Sequence, residues 1–452
     1  MKIILILIIL VTACVSVVSS WVGVLAYYTL ALWGPQYIWF WLFADLRVSF
    51  VVAVFTFLGV GVGFFKTGYE FRFLFTRINF WVLILYVSIL VSYLFGPYID
   101  NPLNKQFDPD TFIFDATKIF LFYFIATLAI NDIEKLKYFT LLFVAVIVYY
   151  CYWANKQYFT DNWSQFAVGR LMGPFGLDMG SIYRDENSFA MLFVSGLPFL
   201  YSFSLKTGKM IRFTCWAVIL LGWHAIFLTG SRGGVVGLSV IIFAIIFWIP
   251  TDKRMFWIRI LIIPFFLFIY SWQAGSLMKE RSGSIVEFQG ESSAEGRLIA
   301  WGAGYQMLKD YPITGVGLCS FATAFPDYND QITARVAHNT FVEFTAENGF
   351  FAGLAYYMII FLFFSQSRGI YLWWKANPNH PHRELIEFCN NSSKVSFLGL
   401  SVCALFLSLN YYEIYFYLLV INNALFTICA KEHNARQLQN RNQLSDPQGT
   451  AI

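Results

Sequence analysis

Thr229-Gly230-Ser231-Arg232-Gly233-Gly234 joins two apolar blocks by a turn so short that Arg232 must stand at their common boundary. Glycines let a ligand approach the backbone, the N–H groups opening the next helix point outward, and a guanidinium adds charge; together these make an anion site. A hairpin turn with a snorkelling arginine is the plainer alternative. Arg297, in Gly296-Arg297-Leu298-Ile299-Ala300-Trp301, is either a solvated face residue or a second cation. Arg335 precedes His338 by three positions, so both can share one helical face. His338-Asn339 supplies the one imidazole on this side, able to exchange a proton near neutral pH, although a lone histidine is often structural. Arg170 and Arg184 add cation density, and Asp185 and Glu186 open a helix, where carboxylates suit the dipole. Arginines hold a diphosphate bidentately, and a base can ready a hydroxyl for attack at the adjoining carbon.

Other polar groups offer less. Asp115 and Lys118 lie three apart in an apolar block, as an internal ion pair or as lining of a wet cavity. His224 sits inside an apolar block, where packing or hydrogen bonding is its expected role. His380 and His382 lack ligand spacing and cysteine partners, and no metal cluster is evident. Gly315-Val316-Gly317 follows no predicted strand and has no accompanying lysine, so it is not a nucleotide loop. The seven cysteines are scattered, odd in number and mostly in apolar blocks, which suits packing rather than disulfides.

The elements that must position these groups are membrane helices. The 452 residues are 58% hydrophobic and 13% charged, whereas a soluble domain is about half apolar and a quarter charged. That balance excludes a disordered protein, a disulfide module and an ordinary cytosolic enzyme, and a net charge of +4 argues for no nucleic-acid partner. Apolar blocks fall at 3–33, 48–64, 78–95, 113–130, 138–153, 188–204, 211–228, 234–250, 255–272, 349–366, 395–409 and 412–430. The first is broken at Ser19-Ser20 and reads as a retained signal anchor that crosses once or twice, giving about 12 or 13 crossings. Seventeen Lys and Arg fall in one set of alternate connections and six in the other, so the richer set is cytoplasmic.

On the outer side lies a long segment, Gln273 to Gly349. Within it, Ser292-Ser293-Ala294-Glu295 fits a capping box. Leu298, Trp301, Tyr305 and Leu308 then recur at helical spacing until Tyr311-Pro312, which predicts an amphipathic helix over 293–310, lying on the outer membrane surface or against the bundle. The chain thus divides into a bundle at 1–272, an outer loop at 273–349, further membrane helices at 350–430 and a cytoplasmic polar tail at 431–452, expected to be disordered. Arginines and one histidine at the outer mouth of such a bundle suit an amphiphile with an anionic head and a lipid tail. The implied reaction is glycosyl transfer from a polyprenyl-diphosphate sugar.

The order of three motif groups resembles the O-antigen ligase and O-antigen polymerase superfamily of bacterial inner membranes. They are the Arg232 motif; Arg297 to Trp301 with Asp310-Tyr311-Pro312-Ile313-Thr314-Gly315-Val316-Gly317; and Ala337-His338-Asn339-Thr340 with Glu347-Asn348-Gly349. Tyr27 to Leu58, with Gly34-Pro35-Gln36, and Ser282 to Trp301 are similar to the O-ligases associated with exosortase A. The resemblance implies an all-α polytopic membrane protein of about twelve crossings, GT-C-like, with a large periplasmic loop containing short amphipathic helices. It implies a multi-pass inner-membrane enzyme with a periplasmic site, using undecaprenyl-diphosphate-linked glycan as donor and a lipid, protein or polysaccharide as acceptor, with no metal or cofactor. Arg232 and Arg297 would bind the diphosphate, His338 would be the general base or orient the acceptor hydroxyl, and Asn339 could hold the imidazole. Arg170, Arg184 and Arg335 rest on charge alone. The Arg184-Asp185-Glu186-Asn187 run departs from the Asp-Asn-Asn-like run of relatives, which bears on any role for Asp185. Repeat-unit polymerisation is an alternative from the same donor. A lipid-linked glycan flippase is another, but it predicts midplane charges and an inverted repeat, and neither is evident.

Overall fold

A segment with no water to bond must close its own backbone hydrogen bonds, and the apolar blocks accordingly become helices. The computed structural model describes residues 2–43, 48–66, 69–106, 108–174, 181–249, 253–273, 292–329, 335–408 and 411–445. Apart from one-turn pieces, its helices are α1 (Lys2–Val18), α2 (Ser20–Trp33), α3 (Val48–Lys66), α4 (Arg77–Phe95), α5 (Pro109–Ala129), α6 (Ile133–Phe159), α7 (Glu186–Leu205), α8 (Lys209–Thr229), α9 (Arg232–Trp248), α10 (Lys253–Ile260), α11 (Ile262–Gln273), α12 (Ser292–Asp310), α13 (Thr340–Ala376), α14 (Arg383–Cys403) and α15 (Glu413–Ser445). Among the described residues, α3 to α8, α13 and α15 are long and apolar enough to cross a membrane, while α1, α2 and α9 are apolar but shorter. The protein is an all-α polytopic membrane protein. Its one described sheet is a hairpin in which β1 (Phe166–Ala167) pairs antiparallel with β2 (Arg170–Leu171), Ala167 opposite Arg170. Val168 and Gly169 turn it with positive φ angles of 51° and 72°.

Helices α7 and α15 form the centre and α3 lies at the periphery, its outward side chains left for lipid. Aromatic stacking locks the interior: Phe139 on Tyr417 at 4.1 Å and Phe363 on Phe397 at 3.8 Å between centroids. The first apolar block is two helices that break at Ser19 and pack on each other.

Three expectations change. Helix α14 begins at Arg383, twelve residues before the block expected at 395, because Asn390, Asn391, Ser392 and Ser393 are buried rather than looped out. Three of the four donate to nearby groups: Ser392 and Ser393 to Phe388 O and Cys389 O at 2.7 Å, and Asn390 to Ser367 O at 3.2 Å. The tail from 431, expected to be disordered, continues α15 to Ser445, tied down by Lys431 to Glu70, Arg436 to Asn377 and Glu432 to His380. Residues 446–452 lie outside the described residues. Helix α12 forms over the predicted span, but Ala300, Ala303 and Met307 make its inner face, while Leu298 and Tyr305 point outward. The first half of the expected Ser282–Trp301 likeness, residues 282–291, also lies outside the described residues.

The long loop docks through its glycine motif. Val316 N donates to Ala346 O at 2.9 Å, Gly317 N to Glu347 O at 3.1 Å, and Phe350 N to Pro312 O at 2.8 Å. Helix α13 breaks at Gly349 (φ 79°, ψ 179°), where the expected boundary of the loop falls. The two later motif groups are therefore one interlocked unit.

Candidate functional site

Three helix N-termini meet at one end of the bundle, each closed by its own cap. Asp185 accepts from Asn187 N and Ser188 N at 2.9 and 3.0 Å to start α7. Ser231 Oγ accepts from Gly234 N at 3.1 Å to start α9. Asn339 Oδ1 accepts from Phe341 N and Val342 N at 3.0 and 3.2 Å to start α13. Such caps satisfy the orphan donors of the first turn and leave the positive end of each dipole facing the site.

Side chains tie these starts together. Ser231 Oγ donates to Asn187 Oδ1 at 2.8 Å, joining the Arg232 turn to the Asp185 turn. Leu407 links α9 to α13: its side chain lies beside Gly233, and its carbonyl accepts from Thr340 Oγ1 at 2.7 Å. Trp301 Nε1 donates to Ala337 O at 3.0 Å, which fixes α12 against the residue before His338. Arg335 lies over Gly296, beside Arg297 in sequence. Arg232, Arg297, Arg335, His338 and Asp185 are thus gathered from four separate stretches of chain.

His338 adopts left-handed backbone (φ 48°), an uncommon state for a residue with a side chain. Solvent reaches the residue, yet desolvation lowers its imidazole below the ordinary histidine value. The Arg297 guanidinium lowers it further, and the Asp185 carboxylate opposes both. A neutral imidazole can accept a proton.

The remaining expected residues stand elsewhere or in other roles. Arg170, at the foot of the hairpin, is paired with Glu186 in the first turn of α7. Arg184 is exposed. Asn339 uses its carboxamide oxygen as the cap of α13. His224 Nδ1 bonds Asn155 Oδ1 at 2.7 Å, the hydrogen-bonding role expected of it. Asp115 and Lys118 are paired at 2.7 Å and also line a cavity, so both readings hold at once.

That cavity has a volume of about 610 Å³ and runs among α2, α5, α13 and α15. Val336 and Ser188 line it, and these lie next to Arg335 and in the turn capped by Asp185, so it adjoins the cation cluster. Sequence reasoning placed Asp115 at a cavity but missed the three glutamates that line it. Glu343 contacts Ser408, Glu413 accepts from Tyr27 Oη at 2.7 Å, and Glu347 accepts from Phe321 N at 3.1 Å. The available signal was a carboxylate inside or at the head of an apolar block, which is costly unless partnered or wet.

No curated protein matches the chain. Residues 216–357 match the Wzy_C family model, described as O-Antigen ligase; the match runs from α8 into α13 and includes Arg232, Arg297, Arg335 and His338. Over residues 216–357 the chain is similar to the O-antigen ligase family.

Proposed function

We propose that this membrane protein transfers a glycan from undecaprenyl diphosphate to an acceptor hydroxyl at the periplasmic face of the inner membrane. Arg232 and Arg297 hold the donor diphosphate, with Arg335 beside them, and His338 accepts the proton of the attacking hydroxyl. The acceptor oxygen bonds to the anomeric carbon as that carbon's bond to diphosphate oxygen breaks. Undecaprenyl diphosphate leaves with the electron pair, and the proton rests on the imidazole before returning to solvent. The guanidinium groups stabilise charge as it grows on the leaving group, where preorganised donors act most strongly. Asp185 raises the basicity of the imidazole against the lowering by desolvation and Arg297.

The observation that carries this reading is that the Arg232 turn is bonded to the Asp185 turn, while Trp301 on the Arg297 helix is bonded to the carbonyl just before His338. A cation for the diphosphate and a proton acceptor are useful together only within reach of one substrate. The test is reconstitution of the full chain with a lipid-diphosphate glycan, followed by mass analysis. One glycan on a foreign acceptor together with released undecaprenyl diphosphate is the expected product. A ladder of repeats would replace ligation by polymerisation, and intact donor in the opposite leaflet would replace both by transport.

A further inference from the structure

The cavity beside the cation cluster has walls of a different chemical character. Among the described residues that line it, Asp115, Glu343, Glu347 and Glu413 carry carboxyls and Lys118 is the one cation, already paired with Asp115 at 2.7 Å. Gln36 and Tyr411 also line it, and the Gln36 carboxamide nitrogen is bonded to Leu30 O at 3.0 Å. Glu343 and Glu413 are 9% and 6% exposed, so what they meet inside the cavity replaces their water.

We propose that this cavity is a sugar chamber that accepts uncharged polyhydroxylated rings and rejects anionic ones; the inference rests on the glycan-transfer reading above. Ring hydroxyls can donate to the carboxyl oxygens, while the tyrosine rings cover the apolar face of a pyranose. Two physical costs exclude a uronate or a phosphorylated sugar. Its charge would lose water in a confined space, and among the described lining residues it would find no cation that Asp115 does not already neutralise. The arginines lie next to the chamber rather than in its wall, so one substrate is sorted by charge along its length. Diphosphate rests at Arg232 and Arg297, and neutral sugar lies beyond Val336. The volume matches a short oligosaccharide stretch rather than a polymer.

The ring can belong to the donor or to the acceptor, and the experiment separates them. The full chain in lipid nanodiscs is given four substrate pairs: an undecaprenyl-diphosphate N-acetylglucosamine disaccharide or its glucuronate-containing counterpart as donor, each with a neutral or a uronate oligosaccharide acceptor. Wild type should favour the neutral member by about tenfold or more in the arm whose sugar fills the chamber. Gln36→Lys adds a cation that can keep the bond to Leu30 O, and should narrow that preference about tenfold. Saturation-transfer NMR with free chitobiose reads the chamber without turnover, and its signal should fall in Glu343→Gln. Equal use of neutral and anionic sugars by wild type in every arm overturns the proposal. So does an unchanged preference in folded Gln36→Lys, or an unchanged chitobiose signal in folded Glu343→Gln. Absence of undecaprenyl diphosphate release from every donor, with chitobiose binding still lost in Glu343→Gln, would sink the transfer reading and leave the chamber standing.

Discussion

Gly296 and Arg335 share one volume: a methyl group on Gly296 would overlap the Arg335 guanidinium. The contact brings the start of α12 against the strand-like approach to His338, and it places Arg335 beside Arg297. Gly296→Ala should fold, because the displaced atoms end a flexible side chain, but it should push Arg335 from the site. Turnover should drop several-fold, by about the same factor as in Arg335→Ala. The double variant should be no worse than either single one, as coupled positions require. Initial rates of the three variants decide this; additive losses would detach Arg335 from the effect.

The acid limb of the rate profile reports His338. Desolvation and Arg297 hold its pKa below the usual value of about 6.5, while Asp185 acts in the opposite sense. A base must be unprotonated, so kcat/KM should be at its plateau at neutral pH and fall as pH drops through that lowered value. Arg297→Gln removes a lowering influence and should move the limb to higher pH. Asp185→Asn removes the raising influence and should move it to lower pH. Profiles of kcat/KM from pH 4 to 8 for the three proteins test the two directions, whatever the variants do to the plateau.

The helices and the three motif groups were legible from sequence because each is a local pattern: unbroken apolar runs, a tight glycine turn, a cap before a run. What is assembled across distance was not. Arg170 counted as site charge, but the hairpin at 168–169 turns it onto Glu186, sixteen positions away. The chamber carboxyls come from α5, α13 and α15, and no window of sequence contains Asp115, Glu343 and Glu413 together. Helix α14 was cut short because hydropathy counts Asn390 and Asn391 as polar, without knowing that buried neighbours surround them. The Gly315-Val316-Gly317 motif was legible as a non-nucleotide loop, but only contact shows that its purpose is to seat on Glu347.

Arg232 and Arg170 give opposite expectations although both are half-buried arginines near one mouth. Arg232→Ala should cut turnover by about 10²–10³-fold, the usual loss when one preorganised donor to developing charge is removed. Arg170→Ala leaves Glu186 in the first turn of α7, where the helix dipole still favours a carboxylate. Its effect should stay within about fivefold, in keeping with a partly exposed ion pair. Rates at saturating donor, with expression and elution volume matched, separate the two. Equal losses would return Arg170 to the binding machinery.

Gly349 is the test of the interlocked motifs. Its backbone, at φ 79° and ψ 179°, belongs to a region that residues with side chains avoid, and a Cβ there would overlap the carbonyl of Ile313. That carbonyl neighbours Pro312, whose oxygen accepts from Phe350 N at 2.8 Å, so relief by local movement would break the seat of the loop. Strain of this kind costs about 1–3 kcal/mol before the overlap is counted. Gly349→Ala should therefore lower the melting temperature in detergent and reduce turnover through the displaced His338 segment. Gly61→Ala, in α3, has open space at its Cβ and serves as the comparison; a helical Gly-to-Ala change there is favourable by about 1 kcal/mol. Equal melting temperatures for the two variants would mean that the break in α13 carries no strain and that the loop is held by other contacts.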